Sequence, residues 1–195
     1  MIEGGKMIFK KYTSINYRDV TDEWLNNKEL KKFNITHARK YVDDDGNEYI
    51  VDNNNKGTYF DKKSKDYIET KKCAKLFKNV FGGKIQLQPI VNAEQGISTC
   101  DFKWKRKKDL DFEKWDLKTV EGNSNRTLDN MIKNKKRQSD NFIFDIKNNT
   151  ITEEEAKEQI KHIYNDPHRN WIKIIILKSN TKIIAIYQKN EKPSS

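Results

Sequence analysis

Asp116-Leu117-Lys118 is the triplet in this chain most readily read as chemistry. Residues two apart on a strand project from one face, so Asp116 and Lys118 point together while Trp115 and Leu117 turn to the other side. Asp101 lies upstream, across a charged turn at Lys107–Asp111. A hairpin symmetric about Lys108-Asp109 sets Asp101 directly opposite Asp116, because the two pairs of residue numbers have the same sum. Two carboxylates and one ammonium then share a small patch. Adjacent carboxylates repel, and the usual relief is a hard divalent cation with oxygen ligands, Mg2+ or Mn2+ where phosphate is handled. Such an ion holds a phosphate, offsets developing charge and acidifies a bound water. A lysine beside it orients that water or stabilises the charge. The chemistry in view is phosphodiester hydrolysis. The competing reading is a solvated strand face, since Asp-x-Lys is cheap in a chain with 39 Lys and Arg and 29 Asp and Glu.

Glu69 strengthens the first reading. It precedes Cys73, Leu76 and Val80 by four, seven and eleven residues, which puts it on the apolar face of a helix. A carboxylate directed inward needs a partner, and a third place in the metal site, direct or through water, would supply one. Gln138 follows Met131 by seven residues on the inner side of a later helix, where it either touches the site or caps the helix end. Lys133, Lys135, Lys136 and Arg137, with Arg126, form a basic stripe suited to phosphate backbones; a solvated helix face is the alternative. His37, His162 and His168 are scattered, without zinc-type spacing, and read as surface residues. Cys73 and Cys100 sit in no Cys-x-x-Cys pattern and read as reduced core thiols.

The elements that must position these residues follow from periodicity. Asp66–Phe81 is predicted as a helix stopped by Gly82-Gly83, Lys84–Val91 as a strand, and Cys100–Arg106 with Phe112–Val120 as a strand pair. Arg126–Gln138 is predicted as a helix and Asn141–Ile146 as a strand. Thr152 and Glu155 make a capping box for a helix over Glu153–Tyr164, and Trp171–Lys178 and Lys182–Tyr187 are apolar enough to be strands covered on both faces. The expected class is α/β, an α-β-β-β-α-β core with a mixed sheet, extended by a further helix and two strands. Residues 1–60 read as a polar N-terminal extension with one helix, Thr21–Lys32, and a hairpin around Asp43-Asp44-Asp45-Gly46-Asn47. Residues 61–190 are the expected functional domain and 191–195 a tail, with the boundary near 53–65.

The whole composition agrees with a polyanionic partner. The net charge is +10 and the sequence pI about 9.4, which favours nucleic acid. No apolar run approaches the ~18–20 residues of a spanning helix, so no membrane partner is expected. Met1–Lys10 lacks the apolar stretch of a secretory signal.

Glu69 in the first helix, Asp101 and Asp116-x-Lys118 on successive strands, and the element order together resemble the PD-(D/E)xK nuclease superfamily, to which restriction endonucleases belong. More narrowly, Gly96-Ile-Ser-Thr-Cys-Asp101, Trp115-Asp-Leu-Lys-Thr119, Arg126–Gln138 and Asn141-Phe-Ile-Phe-Asp145 resemble the C-terminal tRNase toxin domain of contact-dependent inhibition (CdiA) proteins. Similar domains end phage head-morphogenesis and mobile-element proteins. The superfamily usually has Pro before the first Asp and often Glu at the second acidic position; here these are Cys100 and Asp116. The resemblance implies a restriction-endonuclease-like core and a metal-dependent endonuclease with Glu69, Asp101, Asp116 and Lys118 as its site. It further implies tRNA as substrate, a cognate immunity protein as partner, and action in the cytoplasm after delivery from a larger secreted or phage protein. DNA cleavage by the same core, a non-catalytic nucleic-acid-binding or phage-structural accessory role, and metal-free ribonuclease chemistry are the alternatives.

Overall fold

The structure, a computed structural model, describes residues 16–26, 34–52, 57–92, 97–107, 110–147 and 150–190. In chain order the elements are β1 (Tyr17–Asp19), α1 (Thr21–Asn26), β2 (Asn34–His37), β3 (Lys40–Val42), β4 (Glu48–Ile50), β5 (Thr58–Tyr59), α2 (Lys65–Val80), β6 (Lys84–Leu87), β7 (Ile90–Val91), β8 (Phe102–Lys105), β9 (Glu113–Thr119), α3 (Thr127–Ile132), β10 (Asn141–Asp145), α4 (Glu153–Asn165), β11 (Ile174–Ser179) and β12 (Lys182–Lys189). Eight strands form one sheet in the order β1-β12-β11-β10-β9-β8-β6-β2. The sheet is mixed: β6, β8 and β9 run antiparallel in succession, then β9, β10 and β11 run parallel. Two small pairs, β3 with β4 and β5 with β7, lie outside it.

Alternation along the central strands sends side chains into two cores. Phe142, Phe144, Ile175 and Leu177 pack on one face with Leu128 and Ile132 of α3 and Ile160 and Ile163 of α4. Ile143, Ile174, Ile176, Trp104 and Trp115 pack on the other with Trp24 of α1 and Cys73, Ala74 and Phe77 of α2. Continuous apolar runs in β10 and β11 are what a sheet covered on both faces requires. Ser64 starts α2, its hydroxyl accepting the Tyr67 N–H at 3.1 Å. Gly82 and Gly83 end it at φ 78° and 95°. At Gly83 a Cβ would also stand 2.5 Å from the Lys105 carbonyl oxygen, so no other residue fits without displacing β8. The capping box of Thr152 and Glu155 is present at the start of α4.

Two elements differ from expectation. The strand over Lys84–Val91 divides into β6 and β7 at Gln88-Pro89, where proline has no N–H to give the ladder. The helix over Arg126–Gln138 ends at Ile132, because Lys133-Asn134-Lys135-Lys136-Arg137 contains no apolar residue to hold another turn against the core. The segment continues as turns, with Gln138 N–H bonded to the Lys135 carbonyl. The helix over Thr21–Lys32 is described only as α1, and residues 27–33 and the 53–56 part of the anticipated linker lie outside the described residues. The N-terminal segment contributes to the main sheet at both edges, β1 against β12 and β2 against β6. Its hairpin forms as expected, with Gly46 at φ 88°. Asp44 ties this hairpin to Lys114 of β9 at 2.8 Å.

Candidate active site

The register between β8 and β9 pairs Phe102 with Trp115 and Lys103 with Lys114, which is the symmetric hairpin anticipated from spacing. Asp101, one residue before β8, donates its N–H to the Trp115 carbonyl at 3.0 Å and so faces Asp116. From here the two strands separate. β9 runs on to Thr119 with β10 on one side only, and the Asp101 carboxylate accepts the first N–H left free, that of Leu117, at 2.6 Å. This split brings side chains from both faces together. Asp116 stands beside Phe142 on the α3 side of the sheet, whereas Glu69 comes from α2 on the opposite side. They line one cleft of about 340 Å³, with Asp101, Lys118, Thr70, Met131 and Gln138.

Asp116 is the anchor of the cleft. It is 1% exposed, its Oδ2 faces Lys118 Nζ at 2.6 Å, and its Oδ1 accepts Gln138 Nε2 at 3.2 Å. The same Gln138 amide nitrogen donates to the Thr99 carbonyl at 2.7 Å, so it fixes Asp116 relative to the approach to Asp101. Burial and the neighbouring Asp116 charge raise the Asp101 carboxyl well above the usual carboxylate range, against the opposing pull of the Leu117 N–H and Lys118. The negative charge on Asp116 thus competes with one on Asp101. A divalent cation relieves that competition as a proton does, and magnesium commonly takes only one or two carboxylates, completing its shell with water and phosphate. Asp101 and Asp116 therefore fit such an ion.

Glu69 is placed differently from the other three. Its two carboxylate oxygens are taken by Lys147 and by Lys72, the latter at 3.0 Å, and these hydrogen bonds hold it below the usual carboxylate range. Among the described residues no three of His, Cys, Asp and Glu converge closely enough to hold a metal ion. Of the basic stripe, Lys133, Lys136 and Arg137 are exposed and Lys135 partly so, all in the turns leading into Gln138. Arg126 pairs with Asp129 at 3.1 Å and lines a separate cleft beside α4. Gln138 does reach the site, from a turn and not from a helix.

Sequence reasoning missed Lys147, which lies just past β10 among many surface lysines with no spacing to single it out. It also missed the fully buried pair of Asp145 and Lys178, whose cross-strand register becomes visible only once β10 and β11 are known to be parallel. His37 is exposed, as expected, and its Nε2 is hydrogen-bonded to the Tyr67 hydroxyl at 2.7 Å. Cys73 and Cys100 are free and buried.

Fold and site thus define an α/β protein with a paired-carboxylate cleft at a split in its sheet. Residues 110–183 match the family described as contact-dependent growth inhibition CdiA C-terminal domain. That stretch is less than half of the chain; it contains Asp116, Lys118, Gln138 and Lys147 and stops short of Asp101 and Glu69. No curated protein and no solved structure matches. Among the described residues no helix is long and apolar enough to cross a membrane.

Proposed function

We propose that this chain is a metal-dependent endonuclease that hydrolyses phosphodiester bonds, cutting tRNA as a toxin or effector. The observation that carries the reading is Asp101, Asp116 and Lys118 gathered in one open cleft. The family match over residues 110–183 supports the toxin role, delivery from a larger protein and a cognate immunity protein as partner. The strand sequence β6-β8-β9-β10, with α2 before it and α3 between β9 and β10, supports a place in the PD-(D/E)xK superfamily.

Mg2+ or Mn2+ held by Asp101 and Asp116 would supply Lewis-acid polarisation of the phosphate and a water made acidic enough to attack it. Gln138 fixes the direction in which Asp116 presents its oxygens. Lys118 keeps an ammonium beside Asp116, where it meets negative charge building on a phosphate bound there. Glu69, ionised by its two lysines, faces the same cleft and acts through water. Lys133, Lys135, Lys136 and Arg137 guide the polyanion toward the cleft, in keeping with the net charge of +10.

The test is incubation of total tRNA with the purified protein under magnesium, manganese or EDTA, alongside Asp116→Ala and Lys118→Ala, read on a denaturing gel. Cleavage that needs both metal and these side chains is expected. Intact tRNA under every metal would overturn the substrate and direct attention to DNA. Cutting that survives EDTA and both substitutions would place the active site elsewhere.

A further inference from the structure

We propose that a second cleft, adjoining the catalytic one, is a nucleobase subsite that takes the base of a nucleotide flanking the scissile phosphate; this rests on the nuclease reading above. The second cleft measures about 330 Å³ and shares Asp66, Thr70 and Asp101 with the first. Asp101 stands in the wall between them. A nucleotide whose phosphate lies at Asp101 can therefore drop its base over that wall.

The lining selects a flat, uncharged ligand. Phe60 and Tyr67 present two partly exposed aromatic rings, meeting edge to face with centroids 6.3 Å apart. The acidic residues of the cleft are Asp61 and Asp66, besides Asp101 in the shared wall, with no lysine or arginine among its lining. Phosphate is repelled by such a surface, whereas a base offers a π-face to the rings and, in adenine, guanine and cytosine, an exocyclic amine to the carboxylates. The buried Gln88 adds an amide to the wall. The rings are held before any ligand arrives: His37 Nε2 bonds to the Tyr67 hydroxyl at 2.7 Å, and the His37 ring stands edge-on to Phe60 with centroids 4.8 Å apart. Burial first, then Lys62 and Lys71, lower the His37 pKa, which favours the neutral imidazole. Preorganised aromatic surface beside a polar cleft is the arrangement by which unpaired bases are held.

The experiment measures binding of a fluorescently labelled single-stranded RNA to Asp116→Asn protein with magnesium, by anisotropy, with an abasic site moved along the strand. One abasic position should weaken binding by about thirtyfold, the middle of the range for loss of a base–aromatic stack. Tyr67→Leu in the same background should weaken the intact strand to a similar degree and abolish sensitivity to that position. Phe60→Leu, which lies outside α2, should act in the same direction and serves if Tyr67→Leu melts early by circular dichroism. Sensitivity that persists in both variants, or is absent at every position, overturns the subsite. If the wild type still cuts tRNA, only the subsite falls. A wild type that cuts nothing yet shows the coupled loss would keep a base-binding cleft and sink the nuclease reading. Failure to bind any strand overturns the subsite.

Discussion

Gln138 Nε2 reaches both the Thr99 carbonyl and the Asp116 carboxylate, adding a side-chain tie to the backbone bond between Asp101 and Trp115. Gln138→Ala should leave the fold intact and lower the cleavage rate by roughly tenfold, on the order of 1.4 kcal/mol in transition-state terms, since Asp116 keeps Lys118 but loses its fixed direction. Single-turnover kinetics at saturating metal would check this, and an unchanged rate would remove Gln138 from the mechanism. On the proposed mechanism Lys118 meets the charge of the reacting phosphate, so Lys118→Ala should cost about 10²–10³ in rate, as loss of one electrostatic stabiliser typically does. Cys73 and Cys100 belong to a different class. Burial pushes both thiols up to about 12, and since the thiolate is the reactive form, neither should react with a thiol reagent at pH 8 in the folded protein. Both should react promptly in denaturant, a difference read directly by absorbance.

Among the elements, β10 and β11 carry the least forgiving polar contact. Asp145 and Lys178 are direct partners in the parallel ladder, each side chain 4% exposed, and Asp145 also accepts the N–H groups of Lys147 and Asn180 at 3.2 Å. Lys178→Met should destabilise by ~3–5 kcal/mol in urea unfolding, because it strands a buried carboxylate. Replacing both partners by apolar residues should recover much of that loss. The elements also mark where reading stops. The hairpin register was legible because strand periodicity and a symmetric turn leave one answer, and Asp101 opposite Asp116 followed from it. The end of α3 was not legible: Gln138 lies at a helical spacing from Met131, yet the lysine-rich run between them has nothing to pack. Glu69 was rightly directed inward, but its lysine partners depend on how β10 ends beside α2, a tertiary fact with no local signature.

At the scale of the molecule, composition pointed to one domain with a polar preface, while the sheet draws that preface into both of its edges. Apolar residues are sparse there, so the few present carry much of the attachment. Trp24 is 6% exposed, packs against Trp104, Trp115 and Phe81, and carries the Arg106 guanidinium 3.8 Å above its ring. Trp24→Ala should therefore cost ~3–5 kcal/mol, as a core tryptophan does, and lower the midpoint of urea unfolding by all probes together. A loss confined to α1, with the rest of the transition unmoved, would make the segment a dispensable attachment.

The pairing of β1 with β12 sets Tyr17 beside Lys189 and Asp19 beside Tyr187. The two strands thus enter and leave the sheet at the same end of their shared ladder. Pulling residues 16 and 190 apart loads these hydrogen bonds one after another, as a zip opens, and never all at once in shear. That seam opens in the unzipping geometry, so a pull applied at residue 16 against residue 190 would surrender β1 before the strands behind it.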